Sequence, residues 1–311
     1  MAESFNTLAG LVQFNDKNLA DLDISDLLDD APLLQVLNAM PASNGTEHKY
    51  LKQTLASSAA FRAALAGLDK TTSQDTLVTD TLAILDGSFH ADVALAQAAK
   101  NGIDDYLRRE LVRTMKQVFS VAEKQVIYGV GNDATGFAGL HDNAQLSSIT
   151  TMCIAAGTAG STGSSQTSVY ILRSGDNDCS FIMGNDGNIV VDEDPTIVPW
   201  IATAGASPTY PAYYVGVNGY SGFQIGGAYS AARICNIETA LDDDDIYAAL
   251  ALFPASRQPN LIVMNRTSLR LLRASRTAVN ATGAPAPRPT DVEGIPIVVT
   301  DSVLSTEAVE T

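Results

Sequence analysis

Residues 110–140 read ELVRTMKQVFSVAEKQVIYGVGNDATGFAGL, and the chain changes character halfway through them. The first half continues a helix. Apolar residues fall at Ile103, Leu107, Leu111, Met115, Val118, Ala122 and Val126, the i, i+3/i+4 repeat of one helical face. Tyr106, Val112, Phe119 and Ile127 widen that stripe. The periodicity predicts a helix from about Ala94 to Tyr128, with Gly102 weakening its front so that it begins there or bends. Residues 103–128 alone would form a rod about 40 Å long, well beyond an ordinary globular helix.

The second half carries Gly129, Gly131, Gly136 and Gly139. A loop of this kind either cradles a phosphate or ends a helix. A phosphate loop needs GxxxxGK[ST], and Phe137 stands where its lysine belongs. GxGxxG fails as well, because Gly129-x-Gly131 is followed by Asn132, Asp133 and Ala134. Both fingerprints precede a helix, where free amides and the dipole attract anions. This loop follows one. The four glycines therefore read as a helix stop and turn.

The charge narrows the function classes. Against 19 basic residues stand 35 acidic ones, a formal net charge of −16 over 311 residues. A general nucleic-acid binder needs Lys and Arg to neutralise phosphates, so this chain is not one. No apolar run approaches the roughly 18 residues of a membrane-spanning helix, and MAESFNTLAG lacks the basic and apolar regions of a secretion signal. Cys153, Cys179 and Cys235 are widely spaced among apolar neighbours and read as reduced core residues.

Outward from the helix, residues 1–45 are acidic. Asp16, Asp21, Asp23, Asp26, Asp29 and Asp30 alternate with leucines, and Lys17 is the one local cation. This segment is too short to build a core and must borrow burial elsewhere. TEHKYLKQTL, with Lys49 and Lys52 guarding an exposed edge, and TLVTDTLAILDGSFHADVAL read as two strands around a turn-rich tip, a long extended hairpin. After Leu140, SVYILRS, CSFIMG, NIVVD, PAYYVGV, GFQIGGAY and AARICNIE read as strands. DDDDIYAALALF is a helix with acids at its N-terminus, closed by Pro254, and NRTSLRLLRASRTAV is another, preceded by the buried run LIVM. GIPIVVTD is a final strand. Helices and strands interleave without a βαβ period, so the class is α+β.

Catalytic signatures are absent from the sequence: His48, His90 and His141 are isolated, and there is no HExxH or GxSxG. GDND, NDGN and VDEDP do not match a calcium loop, and turn chemistry explains the first two. Trp200 reads as a packing anchor. Arg266, Arg270 and Arg273 lie at i, i+4 and i+7, flanked by Arg257 and Arg276. They are either a solvated helix face or a docking surface for a neighbour's acids, with Asp242, Asp243, Asp244 and Asp245 the obvious partner.

The order of elements, with AEKQVIYGVGNDATGFAGL, SVYILRSGDND, GGAYSAARICNIE, LIVMNRTSLRLL and GIPIVVTDSV, resembles the major capsid proteins of tailed bacteriophages, with the Hong Kong 97-like fold. The resemblance implies an N-arm at 1–45 and an E-loop hairpin at 46–93. It implies a spine helix and the start of the peripheral domain at 94–144, a mainly axial domain with peripheral-sheet strands at 145–290, and a strand returning to the peripheral domain at 291–311. It also implies a virion protein, made and assembled in the host bacterial cytoplasm, that self-assembles as pentamers and hexamers into an icosahedral head around double-stranded DNA. That DNA would be enclosed without sequence-specific binding. A separate scaffolding protein, a portal and a possible decoration protein are the implied partners, with no membrane and no cofactor. Some relatives crosslink through E-loop lysines; Lys49, Lys52 and Lys70 do not suffice to carry that chemistry over. Lys49 and Lys52, with the arginine and aspartate runs, are the candidate inter-subunit contacts. An encapsulin-like shell shares the fold and is the nearest alternative; an enzyme using the glycine loop or acid clusters is the alternative of a different class.

Overall fold

The computed structural model describes residues 31–156, 165–184, 187–192, 194–201, 209–279 and 284–310. The acidic segment 1–30, most of the GTAGSTGSSQTS loop, part of NDGN and the start of ATGAPAPRPT lie outside them.

In chain order, β1 (Ala39–Pro41) is followed by β2 (Glu47–Leu55), β3 (Gln74–Thr81), β4 (Ala83–Asp86) and β5 (Phe89–Asp92). Helices α1 (Val93–Ala98) and α2 (Ile103–Tyr128) come next. Strands β6 (Cys153–Ala155), β7 (Thr167–Leu172), β8 (Cys179–Met183), β9 (Val190–Val191), β10 (Thr196–Ile201), β11 (Thr209–Val215), β12 (Val217–Ile225) and β13 (Ala231–Ile237) follow. The chain finishes with α3 (Asp243–Leu250), β14 (Leu261–Met264), α4 (Arg266–Ala278), β15 (Asp291–Val292) and β16 (Ile295–Val299).

The helical repeat forms as its spacing requires, in two pieces. Asp92 caps α1 by accepting from Ala94 N, and the helix closes at Ala99. Gly102, at φ 96°, takes a backbone conformation that L side chains avoid and resets the axis before α2. Leu107, Val118, Ala122 and Val126 are buried, as the stripe demands, and so are Tyr106 and Ile127. Val112 and Phe119 depart from the expectation: they stay 47% and 40% exposed on a different face of the helix.

The chain divides into two compact units. One comprises Met1–Ala31, Ile84–Ala122 and Ile189–Gly219. Its sheet runs β10-β11-β5, antiparallel throughout. Its core gathers Ala91, Ala96, Ala99, Tyr106 and Leu107, with Phe89 and Tyr213 packed against them. Strand β10 was not among the expected strands because Pro199 interrupts its pattern. It is an edge strand, where a missing N–H is tolerated, and Pro199 pairs with Pro211. Trp200, expected as a packing anchor, lies on β10 and stacks on His90 of β5 with ring centroids 4.1 Å apart.

The other unit comprises Pro32–Ala83, Glu123–Asn188 and Tyr220–Thr311. Its six-stranded sheet has the order β15-β16-β14-β7-β13-β6. Strand β7 is antiparallel to both neighbours, while β13–β6 and β14–β16 are parallel. Strands β7, β13 and β14 are buried along their whole lengths, which is why TSVYIL, AARICNI and LIVM read as runs rather than alternations. Helix α3 packs on β13 and α4 on β7. All three cysteines are buried thiols here, and Cys153 and Cys235 sit 3.5 Å apart, sulfur to sulfur.

The hairpin forms, with one correction. Only Gln74–Thr81 pairs with β2, not the whole alternating run to Leu95. The rest of that run is β4, which joins β12, and β5, which joins β11. Alternation fixes which face a strand buries, not which neighbour it pairs with.

Candidate functional site

The glycine loop folds back onto the end of α2 and supplies the donors the helix lacks. Leu140 N donates to Val126 O at 2.8 Å and His141 N to Ile127 O at 2.9 Å, so carbonyls orphaned at the C-terminus are paired. Gly129 has φ 53°, and a Cβ there would lie 1.7 Å from Asp142 Oδ2. That carboxylate accepts from Val130 N and Gly139 N, both at 2.9 Å. A Cβ at Gly139 would meet Gln125 O at 2.5 Å, and one at Gly136 would meet the Gln125 amide at 2.3 Å. Gln125 in turn donates to Phe137 O and Asp133 O. Gly131 is different, with open space around the position of its missing Cβ.

Beside this joint lies a buried ionic cluster that the sequence reading missed. Arg233, on β13 and fully buried, forms ion pairs with Glu307 and Glu310, each at 3.0 Å. It also donates to Ser168 Oγ and Leu146 O, and its guanidinium lies 5.8 Å from the Tyr170 ring centroid. Tyr128 OH and Ser168 Oγ both donate to Glu307 at 2.5 Å. Burial opposes the Arg233 charge, yet Tyr170, Glu307 and Glu310 hold its pKa above the ordinary arginine range. Burial, then the nearby Glu307 carboxylate, pushes the Tyr128 phenol far up, so it stays a donor. The arrangement fastens the C-terminal tail across the six-stranded sheet, because Gln166 and Glu307 exchange backbone hydrogen bonds and Glu310 pairs with His141. A signal existed in AARICNI: an arginine inside a mostly apolar, wholly buried strand calls for a carboxylate. Its partners lie 74 and 77 residues downstream, beyond any local pattern.

Glu123 does similar work at the start of the described chain. Fully buried on α2, its Oε2 accepts from Leu33 N at 2.8 Å and Leu34 N at 3.2 Å, while Thr300 Oγ1 donates to its other oxygen.

The expected contact residues divide between internal use and exposure. Asp242 and Asp245 form a reciprocal capping box at the start of α3, and burial raises the Asp245 pKa. Asp243 holds Arg276 of α4 at 2.7 Å, the bond that raises the Arg276 pKa. Arg266 pairs with Asp301 at 2.7 Å, and Arg273 donates to Ala286 O. Among the described residues Arg270 is exposed with no ion pair, and Asp244 caps nothing. Lys49 pairs with Glu47 at 2.6 Å on the hairpin's outer face, and Lys52 lies on the inner one.

The hairpin itself is two-sided. Inward, His48 bonds Gln224 at 2.8 Å and Tyr50 OH donates to Ile225 O; burial pushes the Tyr50 phenol up to about 12. Outward, Leu51 and Leu77 are directly opposed and stand 71% and 59% exposed. Phe61 and Leu65 at the tip are fully exposed. Opposed, exposed leucines beside an apolar tip make a surface that a partner can cover. Among the described residues, no group of three or more His, Cys, Asp or Glu could hold a metal, and no helix is long and apolar enough to cross a membrane.

Comparison with known proteins places these features in a wider set. The chain matches a family described as Major capsid protein GP7 over residues 16–310. Among solved structures, a chain of the near-atomic bacteriophage Epsilon15 structure aligns over 100% of this chain and 99% of its own, with 19% identity and a TM-score of 0.68. The bacteriophage JBD30 capsid aligns over 96% and 99%, with 12% identity and a TM-score of 0.53. The JBD30 capsid decorated with minor capsid protein trimers gives 11% identity over the same shares, also at 0.53. No curated protein matches the chain. At these identities the structural likeness is one of fold.

Proposed function

The chain belongs to the major capsid protein GP7 family, and on that premise we propose that its copies close into the icosahedral head of a tailed bacteriophage around double-stranded DNA. Its fold is Hong Kong 97-like, as in the Epsilon15 and JBD30 chains. The observation that carries the assembly reading is the β2–β3 hairpin, whose opposed Leu51 and Leu77 and apolar tip are dressed for burial that the subunit does not supply. Neighbouring copies supply it, and the mechanism is shape and charge complementarity rather than catalysis.

In this reading residues 1–45 are the N-arm and 46–93 the E-loop. Residues 94–144 are the spine helix with the start of the peripheral domain, 145–290 are mainly the axial domain, and 291–311 return to the peripheral domain. Arg270 and Asp244 are the members of the two charged runs still open to a neighbour; Lys49 shares the hairpin's apolar outer face and Lys52 lies on the opposite one. The net charge of −16 keeps the wall from adhering to packaged phosphates. A separate scaffolding protein and a portal guide closure in the host cytoplasm. Trimeric decoration, as the JBD30 capsid carries, is a further partner to look for. The family match is to capsid proteins rather than encapsulins, which supports a genome as the enclosed cargo.

Electron microscopy and sedimentation of the purified protein test this. Closed shells containing nuclease-protected DNA from infected cells are expected. Monomers or small oligomers under every assembly condition would overturn the reading, and shells filled with a cargo protein would favour the encapsulin alternative.

A further inference from the structure

Among the described residues, helix α2 carries one exposed face that mixes cations with apolar side chains. Arg108, Val112, Lys116 and Phe119 recur at i, i+4, i+8 and i+11, so they line one side of the helix, and all four are exposed. The stripe is bounded upstream by Asp105, which pairs with Asn101. Downstream, Glu123 continues the same row at i+15, but there the face is covered: Leu33 and Leu34 donate their amides to its carboxylate, and Leu33 is fully buried. The described chain thus begins on the covered end of this row, one helical turn from Phe119. What precedes it in sequence has the complementary chemistry. Residues 16–30, DKNLADLDISDLLDD, hold six aspartates against one lysine, interleaved with Leu19, Leu22, Ile24, Leu27 and Leu28.

We propose that residues 16–30 dock in cis on the exposed α2 stripe, setting leucines on Val112 and Phe119 and aspartates beside Arg108 and Lys116. Reach permits it. Arg108 to Phe119 spans about 17 Å along the axis, and fifteen residues tethered at Leu33 exceed that even as a helix at about 1.5 Å each. Charge favours it, because a basic stripe is scarce in so acidic a chain and residues 16–30 have the complementary charge. Docking covers the two large apolar side chains that the helix leaves in water. It makes the turn at Leu33 and Leu34, held by Glu123, the fixed end of a strap.

A zero-length carbodiimide crosslink on the purified, intact protein reads the contact directly, since it joins a lysine amine only to a touching carboxylate. Peptide mass spectrometry of the monomer band should show Lys116 joined to an aspartate of residues 16–30. The Lys49–Glu47 pair, at 2.6 Å, is the positive control. Two outcomes overturn the proposal: the control link forming without any link from Lys116 to that segment, or the Lys116 link appearing only in dimer and higher bands, which would place the segment on a neighbouring copy. A second arm uses Arg108→Glu with Lys116→Glu, both exposed and outside the core. Amide exchange of peptides within 16–30 should accelerate at least tenfold while the far-UV spectrum stays unchanged. Exchange that does not change also overturns it.

Discussion

The end of α2 and the β2–β3 hairpin handle polar and apolar groups in opposite ways. At the helix end the charged groups are answered within the chain: Arg233 by Glu307 and Glu310, Glu123 by two amides and Thr300, with two α2 carbonyls met by Leu140 and His141. On the hairpin, leucines sit opposite one another with their outer surfaces in water. The first region is finished as a subunit; on the proposed reading the second is finished only in an assembly. The lesson is that self-satisfaction and exposure mark, residue by residue, what belongs to folding and what belongs to partners.

The sharpest way to break that contrast is to remove the arginine. Arg233→Met leaves the buried Glu307 without its cation and Glu310 with only His141, and should cost about 3–5 kcal/mol of subunit stability in urea titration. A cost below 1 kcal/mol would mean that the cluster holds nothing. The matching change on the open side is Leu51→Asp with Leu77→Asp. Subunit stability should move by less than about 0.5 kcal/mol, because both side chains are already exposed. Assembly should be lost, since each leucine forfeits roughly 1.5–3 kcal/mol of burial at a contact and aspartate adds a desolvation cost. Sedimentation velocity beside the urea titration separates the two effects.

A smaller test lies within one loop. Gly129→Ala meets both a positive φ and a close approach to Asp142, and should destabilise by roughly 1–3 kcal/mol. Gly131→Ala, with nothing within 4 Å, should stay within about 0.5 kcal/mol of the original. Equal effects at the two positions would undo the helix-stop account.

The smallest effect concerns pH. Burial raises the Asp80 carboxyl above its ordinary value, and the neighbouring His48 opposes the shift. A carboxyl raised on folding favours the folded hairpin at low pH, and that contribution is lost as pH rises through its folded pKa. Asp80→Asn should therefore flatten the pH dependence of hairpin amide exchange just above the ordinary aspartate range. A steeper dependence would contradict the assignment.

How much of this could be read from the residues differs in the same way between the regions. The long helix, its break at Gly102 and its glycine stop follow from local spacing and backbone sterics, so they were legible. So were the buried strands and the acidic start of α3. The Arg233 cluster was not, because its carboxylates arrive from the far end of the chain. Val112 and Phe119 were assigned to the buried stripe because residue type alone cannot separate a core face from one awaiting a partner. Strand β10 was hidden by Pro199, which breaks a strand pattern in sequence yet sits harmlessly on an edge. Of the charged runs, the spacing was visible but not the division between internal pairs, such as Arg276 with Asp243, and the open Arg270.

One measurement bears most directly on the central claim that this subunit completes its surface only in a shell. A cryo-electron microscopy reconstruction of purified particles should show closed icosahedral shells, with the Leu51–Leu77 face of every hairpin covered by an adjacent subunit. Shells in which that face stands in solvent, or a preparation with no shells, would contradict it.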